Sequence, residues 1–313
     1  MPKRRNAWIS NEPNPCSLRS YRRQPYYLTN SPKTKLLTKF RFFSTHDPTE
    51  LTSLDEYISR MKDDQDTILY LPGDSKAAVL NSPIIKKYTK QGFEVLILAD
   101  PIDEFTFQHL GEYEKRKVKS IAKDDVSILD NTETDRKKFQ KLKEMYKPLT
   151  DFIRTHLDGK VEKVTVSNKL VDAPLFIFTS QYGYSAQMEK INKAQAFANQ
   201  AKAESYMSAK KILEINPHHP VMKVMLERVK DSEDGASMDE ASSSYVDLLY
   251  QMALLNSGFQ IDEPHELTLP LEKLIRVGFG VARDQEIEEI ELDLSEDQNS
   301  EEEAQEEPEE EGE

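Results

Sequence analysis

The apolar and polar positions between residues 67 and 99 predict a strand, a helix and a second strand. Thr67–Leu71 is a short apolar run ended by a Pro-Gly pair, which is typical of a buried strand and a turn. Ser82 and the proline after it are typical of a helix start, so we expect a helix over Pro83–Gln91 that ends before Gly92. Glu94–Ala99 is the second apolar run. Together they form a βαβ unit, in which the two strands pair in parallel.

Helical and strand-like periodicities continue on both sides of this unit. The predicted elements are a helix over Ser53–Lys62, a long helix over Asp135–Leu157, strands over Lys160–Val166 and Ala173–Thr179, and helices over Ser185 to about Glu214, Ser243–Asn256 and Leu271–Val281. We expect Pro148 to kink or divide the long helix. The second of the two strands is almost continuously apolar, so we expect it to lie centrally in its sheet. Gly258 stands where a glycine typically ends the helix before it. The order of elements indicates an α/β unit joined to an α+β unit.

Charge divides the 313 residues into three regions. The net charge is −14, yet Asp284–Glu313 alone carries 17 acidic residues and no lysine or arginine. Met1–Phe43 carries ten basic residues against one acidic residue. We therefore expect a disordered basic leader over residues 1–34, a folded body, and a disordered acidic tail over residues 284–313.

The composition excludes several classes of site and partner. The single cysteine, Cys16, excludes an intramolecular disulfide and a zinc site built from cysteines. No run of 18 apolar residues is present, so we expect no membrane span and no membrane partner. Tyrosines and arginines alternate in the leader, but a solvated segment is favoured over a nucleic-acid-binding arm, so no nucleic-acid partner is expected.

The turn Gly73–Ser75 is the first candidate for chemistry, because it follows a predicted strand and opens a helical stretch. A nest of backbone N–H groups at such a turn binds phosphate in many nucleotide-binding proteins. However, neither the GxGxxG pattern nor the GxxxxGK[ST] pattern is present. A tight turn between strand and helix is therefore favoured, and a small βαβ nucleotide-binding enzyme remains the alternative.

Two other groups of polar residues suggest structural roles. His218 and His219 are adjacent, and adjacent side chains point apart, unlike the i, i+4 pair of a zinc helix. We expect them in an exposed loop. Asp100, Asp103 and Glu104 follow a predicted strand without a nucleophile or a metal partner, so we expect them to be helix-capping charges. Nothing in these groups argues for catalysis.

The predicted helix after Ser185 is the first of two candidate partner surfaces. Tyr184, Met188 and Ile191 fall at helical spacing beside the small residues Ser185 and Ala186. Methionine and tyrosine on an adaptable amphipathic segment suit weak, promiscuous apolar contacts. Ordinary core packing is the competing interpretation.

The last two predicted helices form the second candidate surface. Their apolar stripes are Tyr245, Leu248, Leu249, Met252 and Leu255 on the first helix, and Leu271, Leu274, Ile275 and Phe279 on the second. Two short amphipathic helices at the end of a domain have little to cover them, so a second copy of the chain would complete a four-helix bundle. Packing of both stripes against the domain's own sheet is the alternative.

Several long motifs resemble the ninety-kilodalton heat-shock chaperone family. SQYGYSAQMEKINKAQAF and SAKKILEINPHHPVMKVMLERV are similar to that family's C-terminal domain. LTSLDEYISRMKDDQDTILYLPGD and GFEVLILADPIDEFTFQHL are similar to the last part of its middle domain, and ALLNSGF and LEKLIRVGFGV to its dimerisation helices. The resemblance covers Lys35–Val281 in order, and Ser180–Gly183 with the glutamate-rich tail resembles the endoplasmin branch.

The resemblance implies a dimeric, ATP-driven chaperone for unfolded or immature client proteins. It assigns residues 35–159 to the C-terminal part of the middle domain and residues 160–283 to the C-terminal dimerisation domain. The family's ATP-binding domain and catalytic arginine loop find no counterpart, so we expect no ATPase activity and no cofactor in this chain, whereas full-length members bind ATP. The implied partners are clients and a second copy or a full-length relative. A nonfunctional fragment is a further alternative.

The resemblance also assigns roles to individual residues. It places Tyr184, Met188 and Ile191 on the client-contacting segment, although Tyr184 stands where the family usually has tryptophan and Asn192 where it usually has methionine. Both differences reduce apolar area, so we expect weaker client binding. The dimerisation stripe that it implies consists of Leu248, Leu249, Met252, Leu255, Leu274 and Ile275.

The compartment and the start of the matched region carry two further expectations. The endoplasmin branch implies the endoplasmic reticulum, whereas the lack of a signal peptide and of a KDEL ending implies the cytoplasm. The match begins inside the middle domain, so we expect Leu36, Leu37, Phe40, Phe42 and Phe43 to form an exposed apolar edge.

Overall fold

The computed structural model describes residues 39–123, 133–181, 183–198, 211–231, 240–283 and 285. The chain divides into two compact units, Met1–Asp262 and Glu263–Glu313. The predicted leader of residues 1–34 lies outside the described residues, and so does the predicted acidic tail apart from residue 285. The predicted domain boundary between residues 159 and 160 falls inside the first unit.

The first sheet confirms the predicted parallel pairing. Its strands are β1 (Phe43–Ser44), β2 (Thr67–Pro72), β3 (Leu96–Leu98), β4 (Glu112–Tyr113) and β5 (Arg116–Ser120), in the order β1-β3-β2-β5-β4. The central strand β2 runs parallel to β3 and β5, and the outer strands β1 and β4 are antiparallel to their neighbours. Four helices belong to this part of the chain: α1 (Leu54–Arg60), α2 (Lys76–Leu80), α3 (Ile85–Lys90) and α4 (Pro101–Leu110).

The crossover from β2 to β3 differs from the prediction, because it carries two short helices and the second begins at Ile85 rather than Pro83. Ser82 does not cap α3: its N–H donates to the carbonyl of Val79 at 3.1 Å, and so it belongs to the turn that closes α2. Gly92 ends α3 as expected, with φ of +75°. The predicted helix over Ser53–Lys62 is confirmed as α1, which Ser53 opens with a capping box.

Side chains of β2 alternate between two cores. Ile68 and Tyr70 contribute to the core shared with α1 and α4, whereas Leu69 and Leu71 contribute to the core on the opposite face. That second core also contains residues of the second sheet, including Phe176. Both faces of β2 and β3 are therefore buried, which accounts for the continuous apolar runs of these two parallel strands.

The second sheet corrects two predictions. Its strands are β6 (Lys163–Val166), β7 (Leu175–Thr179) and β8 (Lys211–Ile215), in the order β6-β8-β7. β7 lies at the edge rather than centrally. Its first four residues are apolar because Leu175 and Ile177 point into one core and Phe176 and Phe178 into the other. The predicted helix up to Glu214 is wrong over residues 211–214, since β8 pairs with both neighbouring strands and buries Ile212, Leu213 and Ile215.

Four further helices of the first unit lie in the described residues: α5 (Glu133–His156), α6 (Ala186–Ala198), α7 (Pro220–Asp231) and α8 (Glu240–Asn256). The second unit contributes α9 (His265–Gly278). Of the two predicted effects of Pro148, a kink or a division, the division is wrong, because α5 continues through the proline. Its buried residues Tyr146, Leu149, Phe152 and Ile153 lie on both sides of the proline and hold the helix on the core. The core of the second sheet is completed by α7 and α8.

The expected apolar edge near residue 40 is largely covered. Phe42 is buried and meets Phe107 of α4 edge-on, with ring centroids 5.0 Å apart, and Phe43 pairs with Ile97 through β1. Phe40 and Phe43 are half-buried, so the prediction of exposure is wrong for these described phenylalanines. The hydrogen bonds between β1 and β3 explain the difference, because they fold this segment over the sheet. Leu36 and Leu37 lie outside the described residues.

Candidate functional site

Three segments of the first unit meet around a cleft of about 110 Å³, which we call the α6 cleft. It is lined by the end of β2 and the following turn, the start of α6, the end of α8, and Phe176 of β7; these segments are Leu71–Asp74, Ser185–Gln187 and Leu255–Gly258. The cleft therefore combines the predicted phosphate turn, the start of the predicted client-binding segment and the end of a predicted dimerisation helix.

The turn at Gly73 is tight and already paired. A Cβ on Gly73 would lie 2.6 Å from a methyl carbon of Val79, so only glycine fits there. Ser75 caps the five-residue helix α2 by accepting a hydrogen bond from the N–H of Ala78. Asp74 forms an ion pair with Lys190 of α6. These contacts are those of a strand-to-helix turn that also anchors α6.

Ser185 sets the start of α6. Its hydroxyl accepts a hydrogen bond from the N–H of Met188 at 3.1 Å, which satisfies a free donor of the first helical turn. The same hydroxyl bonds the carboxyl group of Glu104 in α4. Burial raises the pKa of Glu104 against the opposing effect of its hydrogen bonds with Ser185 and Gln108. The start of α6 is thus held by a buried carboxyl group.

Charged residues fix the rest of α6 to its surroundings. Glu189 is buried, and its carboxylate lies 3.3 Å from Nζ of Lys193 and 3.6 Å from Nζ of Lys211 on β8. Lys193 also contacts Asp262 at 2.7 Å. Burial lowers the pKa of Lys193, but the bonds to Asp262 and the charge of Glu189 outweigh it, so the pKa is raised. These pairs leave little freedom for α6 to rotate.

The three predicted client-contacting residues do not form one exposed patch. Tyr184 is 36% exposed, Ile191 is half-buried, and Met188 is only 3% exposed. Asn192 is also half-buried. In this conformation Tyr184 alone among the three predicted residues presents a largely accessible side chain.

The predicted dimerisation stripe is divided between two environments. On α8, Leu248 is buried and Leu249 is half-buried against the core, whereas Met252 and Leu255 are exposed. None of the residues of α9, all of which the structure describes, is buried. Five large apolar side chains of α9 are between 41% and 56% exposed; these are Leu269, Leu271, Leu274, Ile275 and Val277.

Several buried residues of α8 and α6 were not among the predicted site residues. Val246, Tyr250, Ala253 and Leu254 face the core, so the inner side of the helix packs on the first unit's own sheet. These four residues also fall at helical spacing, on the side of α8 next to the predicted stripe. Gln187 was also omitted, because a glutamine on a helix ordinarily faces solvent; in the structure it is 6% exposed.

The remaining polar candidates have structural positions. Asp100 caps α4 by accepting a hydrogen bond from the N–H of Ile102 at 3.1 Å, as expected, whereas Asp103 and Glu104 are buried. His218 is exposed and His219 half-buried in the turn before α7. Within the described residues we find no group of three or more histidine, cysteine or acidic side chains that would hold a metal ion. The described helices include none with the length and apolar character of a membrane span.

Fold and site together define a mixed α/β protein that presents exposed apolar helix faces rather than a recognisable catalytic centre in its described residues. A family model described as Hsp90 protein matches residues 28–311, which is most of the chain. The chain belongs to the Hsp90 family of chaperones, as the resemblance of its motifs predicted.

Curated relatives agree with this assignment. The chain is 37% identical over 259 residues to an endoplasmin homolog of Catharanthus roseus, a match that covers 82% of the chain and 30% of the relative. It is 37% identical over 261 residues to an endoplasmin homolog of Caenorhabditis elegans, covering 82% and 34%. Identity to the human putative heat shock protein HSP 90-beta-3 is 38% over 230 residues, covering 74% and 38%. The chain thus spans about a third of the length of these relatives.

Proposed function

We propose that this chain is a chaperone segment that binds unfolded client proteins and dimerises through α8 and α9. Family membership supports a chaperone-type activity. The observation that carries the dimerisation part is the exposure of α9, none of whose residues is buried in the described part of the chain. Contiguous exposed apolar surface of this kind marks an interaction site.

The free energy of such an interface is close to balanced in rough terms. In the proposed twofold-symmetric pair, Met252, Leu271, Leu274 and Ile275 of each copy would be buried against the partner, which makes eight side chains. These side chains are 41–50% exposed, so covering the rest contributes about half of the roughly 1.5–3 kcal/mol for full burial, or about 6–12 kcal/mol in all. This total is comparable with the association cost of about 4–15 kcal/mol, so we expect a dimer that depends on protein concentration.

Substitutions on α9 test the dimer directly. In the double variant Leu274→Glu, Ile275→Glu, two charges enter the apolar stripe, and we expect sedimentation velocity to show a monomer where the unmodified chain is dimeric. The matched control is Leu269→Glu, since Leu269 lies about 140° around the helix from Leu274. The dimer proposal fails if the unmodified chain remains monomeric across a concentration series from 1 to 100 μM.

Client binding is supported by family membership and by the exposed ring of Tyr184. We expect the chain to reduce light scattering from an enzyme that aggregates on heating, and Tyr184→Ala to weaken this effect about two- to fivefold. Leu51→Ala is the control, because Leu51 is an exposed apolar residue in another part of the first unit. Equal aggregation with and without the unmodified chain would reject client binding.

Further partners and the compartment follow from the same proposal. A full-length relative that shares the dimerisation helices is expected to exchange with this chain. A tagged version of this chain and an untagged full-length relative should therefore co-purify after mixing.

The name endoplasmin homolog, which several relatives carry, favours the endoplasmic reticulum over the cytoplasm as the compartment. Cell fractionation of the tagged natural protein decides between the two.

The nucleotide-binding alternative is not favoured by the α6 cleft. Asp74 places a negative charge at the turn where a phosphate would bind, and Ser75 is already used as a helix cap. We propose that these 313 residues bind no nucleotide at Gly73 and turn over no ATP alone. Calorimetric titration with ATP, GTP and NAD, together with a phosphate-release assay, would contradict this if either gave a stoichiometric signal.

A further inference from the structure

One side of α5 carries a row of basic side chains. We infer that this row is a docking surface for an extended, acid-rich segment of a partner protein. The inference goes beyond the proposed function, because it involves none of α8, α9 and Tyr184.

The row follows from the helical repeat of α5. At about 100° per residue, six residues of this helix fall within about 40° of one line along its surface. Four of the six are basic and two are neutral; the six are Arg136, Gln140, Lys143, Lys147, Thr150 and Arg154. We call the four basic residues, Arg136, Lys143, Lys147 and Arg154, the α5 basic stripe. At about 1.5 Å per residue the stripe runs for about 27 Å.

The α5 basic stripe faces solvent. All four of its residues are exposed, and Gln140 between them is exposed as well. The side chains that α5 buries belong to the core of the second sheet; these are Tyr146, Leu149, Phe152 and Ile153. The stripe is therefore on a part of the helix surface that the core does not use.

Ion pairs within the described residues do not neutralise the stripe. Arg136, Lys147 and Arg154 form none there, and Lys143 lies over the ring of Phe139, with Nζ 4.5 Å from the ring centroid. Asp151 follows Lys147 by four residues and precedes Arg154 by three, yet it pairs with neither in the described structure. Positive charge thus accumulates along one line without a compensating carboxylate.

The neighbours of the stripe argue against nucleic acid and membrane as partners. Single-stranded nucleic acid is bound by basic residues together with aromatic rings on which bases stack. Phe139, the aromatic residue beside the stripe, is half-buried and covered by Lys143. A membrane surface requires exposed apolar residues on the bound face of the helix. Met145 is the exposed large apolar residue of α5, and it lies about 180° around the helix from Arg136.

An acid-rich peptide segment fits the stripe. Carboxylates accept hydrogen bonds from both guanidinium and ammonium groups, and arginine binds them in a bidentate way. A length of about 27 Å corresponds to about eight residues of extended chain at about 3.3 Å per residue. Such a segment brings a carboxylate to each basic residue of the stripe. Exposed charge pairs are individually weak, so several along one line are needed for measurable binding.

The test uses the full chain and a fluorescein-labelled peptide, Gly-Glu-Glu-Gly-Glu-Glu-Gly-Glu-Glu-Gly, followed by fluorescence anisotropy. In about 0.1 M NaCl the Debye length is about 10 Å, so charges elsewhere on the chain contribute little. We expect the peptide to bind, and a peptide with glutamine in place of every glutamate not to bind. The double variant Lys143→Glu, Lys147→Glu should bind the acidic peptide about tenfold more weakly than the unmodified chain, because two attractive contacts become repulsive.

The matched control is the double variant Lys138→Glu, Lys141→Glu. It makes the same change of charge on exposed residues of the same helix, about 140–160° around from Arg136. We expect its affinity for the acidic peptide to stay within about twofold of the unmodified chain. Circular dichroism checks that each variant is folded. If the charge reversal prevents folding, the pair Lys143→Gln, Lys147→Gln is compared with Lys138→Gln, Lys141→Gln, with an expected loss of about threefold for the first pair alone.

The outcomes decide the inference without reference to aggregation suppression or dimerisation, so the proposed function stands or fails separately. A loss confined to the stripe variant supports the inference, whereas equal losses in both double variants show general charge attraction and overturn it. Absence of peptide binding to the unmodified chain also overturns it. Single-stranded RNA and vesicles containing phosphatidylserine are titrated in parallel. Binding of either that is tighter than peptide binding and is lost in the stripe variant overturns the peptide assignment.

Discussion

The two C-terminal helices α8 and α9 carry similar apolar stripes but differ in how much of them is buried. α8 places Val246, Tyr250 and Leu254 in the core of the first unit and leaves Met252 exposed on its other side. α9 has no buried residue, although its stripe is as regular. Even their ends match, because Gly258 and Gly280 close the two helices with positive φ angles of +81° and +75°.

This difference shows what an apolar stripe does and does not indicate. The spacing predicts a helix with one apolar face, but it does not indicate whether the surface that packs on this face belongs to the same chain or to another. On α8 the inner face is covered by the same chain, and Met252 and Leu255 on its other side are exposed. On α9 no residue is buried in the described part of the chain, which is why this helix carries the dimerisation proposal.

The sharpest way to test the contrast is the same substitution in both helices. Leu254→Ala removes a buried side chain from the core, so we expect the free energy of unfolding to fall by about 2–5 kcal/mol. Leu274→Ala removes an exposed side chain, and we expect a change below about 0.5 kcal/mol. Urea denaturation measures both, at a concentration where sedimentation shows the monomer.

We expect the two substitutions to affect the proposed dimer in the opposite order. Leu274→Ala should weaken self-association at higher concentration, whereas Leu254→Ala should weaken it only through loss of folded protein. If the two substitutions lower the free energy of unfolding of the monomer equally, Leu274 is buried within the chain, and α8 and α9 do not differ in burial as described.

The helix ends give a second, smaller test. Gly258 and Gly280 each adopt the left-handed conformation, and each is followed by a residue whose N–H returns to the last turn, at Leu254 and Arg276 respectively. Alanine in that conformation costs about 1–2 kcal/mol. We expect Gly258→Ala to lower the free energy of unfolding of the first unit by this amount, because α8 is part of its core.

Gly280→Ala is the matched control for Gly258→Ala. A Cβ at Gly280 meets no atom within 4 Å, and one at Gly258 meets only ordinary contact with Ala186 at 3.7 Å, so backbone strain is the common effect. Urea denaturation of the monomer should therefore register the change at Gly258 and remain within about 0.5 kcal/mol at Gly280. A comparable loss at Gly280 would show that α9 unfolds together with the first unit.

Much of the fold was predictable because local signals agreed with it. The parallel pair β2 and β3, the capped start of α1 at Ser53 and the glycine end of α8 are each set by residues close in sequence. β8 was missed because KILEI is short and apolar, and such a run fits a helix or a strand equally until its neighbours are known. Its assignment depends on β6 and β7, which lie far along the chain.

The site was less predictable for the same reason. Tyr184 and the stripes of α8 and α9 could be proposed from spacing, but spacing did not reveal that Met188 and Leu248 are buried. Nor does any local pattern mark Gln187. Its environment is made by the turn at Gly73 and by the end of α8, which are separated from it by more than 60 residues on either side. Long-range packing decides which polar side chain is buried.

A buried and an exposed carboxylate provide the smallest and last test of the contrast. Glu104 is buried in α4, and desolvation raises the pKa of its carboxyl group. Glu272 on α9 is exposed and pairs with Arg276 at 2.7 Å. Because the folded-state pKa of Glu104 lies above the unfolded value, the folded protein binds the proton more tightly, and stability is lost as the pH rises through that raised pKa.

It follows that Glu104→Gln should stabilise the first unit at pH 7, on the order of 1 kcal/mol or less, by removing the charge that burial penalises. The gain should shrink as the pH falls through the raised pKa and vanish below the unfolded value of about 4.3, where the carboxyl group is neutral in both states. Glu272→Gln should instead cost a few tenths of a kcal/mol at pH 7, as expected for an exposed i, i+4 pair. Urea denaturation at pH 7 and pH 5 measures both. A gain at Glu104 that grows on acidification would mean that its hydrogen bond with Ser185 stabilises the carboxylate more than burial penalises it.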